Sequence, residues 1–116
     1  PFPSVAILSL SSLADLSARM GTDLSIHRWR GNLWIEDMPP FAEFDMIGRE
    51  IAIGDTLLRI EERITRCKAT SANPETGVID ADTLAGLQDA YGHRDFGVYA
   101  TVVRGGLIAR GDRIAA

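Results

Sequence analysis

The sequence has one cysteine, Cys67, and two histidines, His27 and His93. A single thiol closes no intramolecular disulfide, and one Cys with two distant His residues matches no spacing used by structural zinc. Also missing are the G-x-x-x-x-G-K-S/T phosphate loop, the G-x-G-x-x-G dinucleotide fingerprint and the G-x-S-x-G nucleophile elbow. Nucleotide-binding and serine-hydrolase chemistry therefore have no basis in the chain. Long apolar runs are absent: the longest, residues 5–8 and the interrupted stretch 98–103, fall far short of the ~20 residues of a membrane-spanning helix. Positive charge is in deficit, with 12 Lys and Arg against 16 Asp and Glu and a net charge of −4. That balance argues against nucleic-acid binding through a general basic surface. The lone thiol, with no signal peptide ahead of the first apolar run, makes a reducing, cytoplasmic compartment the expectation.

What is present is the composition of a packed domain, 46% apolar and 24% charged, in 116 residues that suit one core. The chain opens on Pro1-Phe2-Pro3 and enters its first apolar run at once. A fragment is expected, with an upstream segment of the same protein supplying that strand's neighbours. Ser12-Leu13-Ala14-Asp15 reads as a capping box for a helix over 12–20, stopped by Gly21. Residues 33–35 read as a strand closed by Pro39-Pro40. Gly54-Asp55 and Gly111-Asp112 mark tight turns, and Arg104-Gly105-Gly106 predicts a hairpin that makes the C-terminal third a meander. The turn Asn73-Pro74-Glu75-Thr76-Gly77 leads into a second helix over 82–91, with Leu84, Leu87 and Tyr91 as its buried stripe. Mainly β with two short helices, in a Greek-key or barrel arrangement, is the expected class.

Cys67 follows an apparent strand over 63–66 and sits between Arg66 and Lys68. A free thiol is only about 3% thiolate at pH 7, and a nearby cation favours the charged form. Strand neighbours point to opposite faces, so help from Arg66 or Lys68 is not assured by adjacency. The alternative is a small core hydrophobe. Arg28-Trp29-Arg30-Gly31-Asn32 offers two guanidiniums and an amide suited to gripping a phosphate or carboxylate, or else a solvated loop whose arginines pair with Glu or Asp, with Trp29 as a packing anchor. His93 reads as a cap for the preceding helix or as a group that titrates near neutrality, and Glu43 and Asp45 as turn and helix-start residues.

Seven segments share an order and spacing: 28–33, 41–43, 53–55, Arg66-Cys67-x-x-Thr70, 73–77, 96–99 and Gly111-Asp112. Together they resemble the MOSC domain, the C-terminal module of molybdenum-cofactor sulfurases, over nearly the whole chain. The resemblance implies a MOSC-type β-barrel, here lacking the upstream part that completes it. It implies the molybdenum cofactor (molybdopterin) as ligand, with Cys67 as molybdenum ligand or persulfide carrier. Arg30, Asn32 and Arg66 then hold the pterin phosphate or shape its pocket. It also implies partners: a pyridoxal-phosphate-dependent cysteine desulfurase or an electron-transfer protein. Three functions are consistent with it, namely a cofactor-binding or sulfur-carrying domain, a molybdenum-dependent reductase of N-hydroxylated compounds, and a binding module without cofactor. One departure is Gly31, where many relatives carry proline.

Overall fold

The computed structural model describes residues 4–115. Strand β1 (Ser4–Ser9) runs directly into helix α1 (Leu10–Met20), followed by β2 (Leu33–Ile35), β3 (Glu50–Ile53) and β4 (Thr56–Thr65). Helix α2 (Thr83–Tyr91), β5 (Asp95–Arg104) and β6 (Ile114–Ala115) complete the chain. The strands form a six-stranded sheet in the order β2-β1-β5-β4-β3-β6, antiparallel except for the β1–β2 pair. Mainly β with two helices is as expected, and the sheet is an open half-barrel whose edges are β2 and β6. Among the described residues no helix is long and apolar enough to cross a membrane.

Three register shifts in the β4–β5 pair set its curvature. Glu62 pairs with Tyr99 while Ile60 pairs with Ala100, so Glu61 is extra on β4. Thr65 pairs with Asp95 while Arg63 pairs with Val98, so β5 carries one extra residue around Gly97, whose φ is +84°. Each bulge increases the local twist and reverses the in/out alternation of the residues beyond it. Phe96 and Ile64 therefore face a first core with Leu8, Leu16, Leu87 and Trp29, under the helices. Val98, Ala100, Leu58 and Ile60 face a second core with Ile7, Ile51 and Ile53 on the other side. One sheet thus serves two cores.

Three expectations are corrected: β1 finds its neighbours in β2 and β5 of this chain rather than in an upstream segment, and two local signals, a capping box and a hairpin, do not form. Helix α1 is capped by Ser9, whose hydroxyl accepts from Ser12 N at 3.2 Å, so the capping box at Ser12 does not form. Ser12 is buried, and its Oγ accepts from Phe41 N at 2.8 Å and donates to Glu43 at 2.8 and 3.1 Å. Glu43 does sit in the first turn of a 3-10 helix, Ala42–Met46, as its reading as a turn and helix-start residue expects, and there it is fully buried and clasps α1 to the 36–47 segment. The hairpin at 104–106 is replaced by a crossover: β5 continues to Arg104, and the chain then passes to β6 beside β3. Its path is fixed at Leu107, whose carbonyl accepts from Asp55 N at 3.1 Å. The Gly54 and Gly111 turns do take positive φ, and α2 is capped by Asp82 and stopped by Gly92.

Two outcomes test this architecture. A Cβ at Gly97 would lie 2.9 Å from Leu8 Cγ and 3.1 Å from Ile7 O, at positive φ. Gly97→Ala is expected to cost ~2–4 kcal/mol of unfolding free energy, read from the urea midpoint. Burial raises the pKa of Glu43, so the folded chain holds that proton to higher pH than the unfolded chain does. Stability from this group then falls as pH rises from the ordinary carboxyl value of about 4.3 through the raised one. Glu43→Gln keeps an acceptor for Ser12, and its stability relative to the parent is expected to increase over that window. A difference that is flat with pH in paired denaturation curves would show that Glu43 does not titrate as a buried acid.

Candidate functional site

Strand β4 ends at Thr65, and the next residue extends its ladder by one bond, Arg66 N to Arg94 O at 2.9 Å. The Arg66 side chain turns inward. Its Nε donates to Phe96 O and its Nη1 to Trp29 O, each at 2.9 Å, with the guanidinium 5.5 Å from the Trp29 ring centroid. Trp29 is fully buried and stacks on Phe96 at 4.2 Å, the packing anchor its sequence context suggested. Arg66 Nη2 is buried without a partner, and no carboxylate pairs with Arg66 among the described residues. Burial pushes the Arg66 pKa down, opposed by the neighbouring Tyr99 and Cys67. A desolvated cation with a spare donor is costly alone and gains most from an anion.

Cys67 is exposed with a free thiol, so the core-hydrophobe alternative is overturned. Its backbone is extended, and its carbonyl is tied by Thr70 N at 3.3 Å and Thr70 Oγ1 at 3.1 Å at the start of a 3-10 turn, Lys68–Ser71. The turn fixes the main chain and leaves Sγ in solvent.

Arg30 directly follows the carbonyl that Arg66 holds, in left-handed backbone with φ 51°, and its side chain is exposed. Left-handed backbone is unfavourable for a non-glycine residue by roughly 1–2 kcal/mol. Gly31 has a packing reason: a Cβ there would lie 2.8 Å from Leu8 Cδ1 and 3.1 Å from Trp34 Nε1. Asn32 is clipped to β1, its N donating to Ala6 O at 2.9 Å and its Oδ1 accepting from Ala6 N at 2.8 Å. It lines an apolar cavity of about 320 Å³ with Val5, Leu33, Leu58 and Val102, away from the Cys67 end of β4. The structure therefore brings Arg66, Cys67 and the Trp29-Arg30 turn together, while Asn32 stands on the neighbouring strand edge.

Arg28 pairs with an acidic residue, as the loop alternative expects of its arginines, but it is buried rather than solvated. Its guanidinium is buried, with Nη2 on Asp80 at 2.6 Å and Nη1 on the carbonyls of Ser71 and Ala72 at 3.2 and 3.1 Å. Asp80 carries no local signal in the sequence; it is placed by the Asn73-Pro74 turn, Asn73 Nδ2 donating to it at 2.9 Å. His93 does not cap α2, a role taken by Gly92. Its Nδ1 accepts from Asp95 N at 3.0 Å, its ring packs among Phe41, Phe44 and Tyr91, and burial lowers its pKa. Among the described residues no three His, Cys, Asp or Glu side chains converge as a metal cage.

Known proteins align with this arrangement. The MOSC domain family model matches residues 3–115. Mitochondrial amidoxime reducing component 2 of Bos taurus is 30% identical over 122 aligned residues, covering 95% of this chain and 36% of the relative. Molybdenum cofactor sulfurase of Anopheles gambiae is 32% identical over 81 residues, covering 69% of this chain and 10% of the relative. The chain thus spans about a third or less of these relatives' length. A solved structure, YiiM from Geobacillus stearothermophilus, shares the fold with a TM-score of 0.66 at 14% identity, over 95% of this chain and 52% of that one. With a family match running almost end to end over a half-barrel that presents Cys67 beside Arg66, the chain belongs to the MOSC domain family.

Proposed function

We propose that this chain is a molybdenum-cofactor domain in which Cys67 meets the metal end of the cofactor and Arg66 an anionic group of it. The observation that carries the reading is an exposed thiol next to a guanidinium with a buried, unpartnered donor and no carboxylate among the described residues. A pterin phosphate supplies the acceptor that Nη2 lacks, and a thiolate is a soft metal ligand. When bound, the cofactor supplies redox or sulfur-transfer chemistry that side chains do not have. Arg30 adds an exposed cation to the same anion, and Asn32 commits Oδ1 to Ala6 and keeps Nδ2 to donate. Metal ligands beyond Cys67 belong to the cofactor, and an upstream segment of the same protein completes the pocket.

Cys67 acts either as molybdenum ligand or as persulfide carrier loaded by a pyridoxal-phosphate-dependent cysteine desulfurase in the cytoplasm. A second reading, reduction of N-hydroxylated compounds with electrons from a partner protein, is favoured by alignment of 95% of the chain with the bovine amidoxime reducing component.

Metal and mass analysis of protein purified anaerobically from its native host tests both. Molybdenum near one per chain, lost in Cys67→Ala, supports ligation, whereas a one-sulfur adduct on Cys67 supports carriage. Arg66→Lys keeps the charge but not the fork, and is expected to lower cofactor content by about tenfold or more. Protein with neither metal nor sulfur, unchanged by Cys67→Ala, would leave a binding module without cofactor.

A further inference from the structure

Resting on the reading of Cys67 and Arg66 as a cofactor site, the geometry points to Arg28 as the positioning residue of the Cys67 turn. Cys67 lies between two flanks, and residues 28 and 29 hold both. On the N-terminal side the Trp29 carbonyl accepts from Arg66 Nη1 at 2.9 Å. On the C-terminal side Arg28 Nη1 faces the carbonyls of Thr70, Ser71 and Ala72 at 3.5, 3.2 and 3.1 Å. Those carbonyls end the 3-10 turn that begins after Cys67 and have no donor from a following helical turn; Ser71 O is also met by the backbone N of Asp80 and of Ala81, at 3.2 and 3.4 Å.

The same guanidinium is anchored from behind. Arg28 Nη2 is 2.6 Å from Asp80 Oδ1, and its side chain is only 6% exposed. Asn73 Nδ2 holds the second Asp80 oxygen at 2.9 Å, and Asp80 N donates to Ser71 O at 3.2 Å. Together with Asn73, Arg28 holds the carboxyl of Asp80 below the usual carboxylate range. One planar fork serves several carbonyls and a carboxylate, which the single ammonium of a lysine does not reproduce. The Cys67 main chain is thereby held on both flanks, which presets its backbone relative to that of Arg66 before any ligand arrives.

The test uses the only thiol in the chain as its own reporter. Alkylation of Cys67 is timed with iodoacetate and with iodoacetamide, in the parent and in Arg28→Lys, well below the melting temperature. The rate ratio of anionic to neutral reagent cancels thiolate fraction and reports the cation beside Sγ. In the parent this ratio is expected to exceed that of the urea-unfolded chain. In Arg28→Lys it is expected to fall about threefold, while amides of residues 67–80 exchange about tenfold faster and those of β1 and β5 do not change. Asp80→Asn, at a half-exposed position, is the second variant should Arg28→Lys fail to fold, and carries the same expectations. Unchanged exchange over 67–80, or faster exchange with an unchanged ratio, would overturn the role of Arg28. A parent ratio equal to that of the unfolded chain instead defeats the anion reading of Arg66, with the exchange measurement still deciding whether Arg28 holds the turn.

Discussion

The guanidinium of Arg66 ties three segments that are far apart in the chain. It leaves the end of β4, crosses to the Phe96 carbonyl at the start of β5, and reaches the Trp29 carbonyl in the turn before β2. Hydrogen bonds from a charged donor contribute ~1.5–3 kcal/mol each, enough to offset part of the cost of burying the cation. The stacked Trp29–Phe96 pair lies under this tie, and the backbone carrying Arg30 and Cys67 leaves from either side of it. Moving Arg66 would displace the candidate site as a unit.

The place where Arg66 can make this tie is created by the sheet. An ideal antiparallel ladder would keep Phe96 and Val98 on one face. The bulge at Gly97 separates them, sending Phe96 under Trp29 and Val98 into the opposite core. Without that reversal the Phe96 ring would not meet the indole. The bulge at Glu61 does the same for Ile60 and Ile64 on the paired strand, so both strands change face within a few residues of each other. Curvature of the half-barrel and formation of the site are thus one event in the β4–β5 pair.

Local chemistry was legible in the sequence, and long-range pairing was not. Gly21 stops α1 because the left-handed stop is written in residue type, whereas the cap that ends α2 reads at His93 in the sequence and falls one residue earlier, at Gly92, for the same reason. Cys67 stood out as a candidate only through its neighbours and the spacing of seven weak motifs, and its exposure was legible in neither. Ser12 and Glu43 are 31 residues apart, and Arg28 and Asp80 are 52 apart. Each of these four has an ordinary local role as cap, turn or loop residue, and nothing within a helical turn or strand period distinguishes that role from a buried tertiary bond. The hairpin at Gly105-Gly106 failed for the same reason: its residues permit a tight turn, but Leu107 pairs with Asp55 from another part of the sheet.

Arg66 is a poor choice if folding is the only requirement. It buries a cation that no carboxylate among the described residues neutralises, and its two carbonyl bonds offset that cost only in part. The chain has 16 acidic residues, yet none pairs with Arg66 among the described residues, although Arg28 a few residues from its carbonyl partner has Asp80. An Asp or Glu at Nη2 would stabilise the apo domain and close the donor to any other anion. On the proposed reading the two arginines divide the work: the one with a carboxylate holds the turn, and the one without meets the ligand. An anion bound there would add stability by mass action, and would hold the domain more firmly at the end of β4 where Cys67 sits.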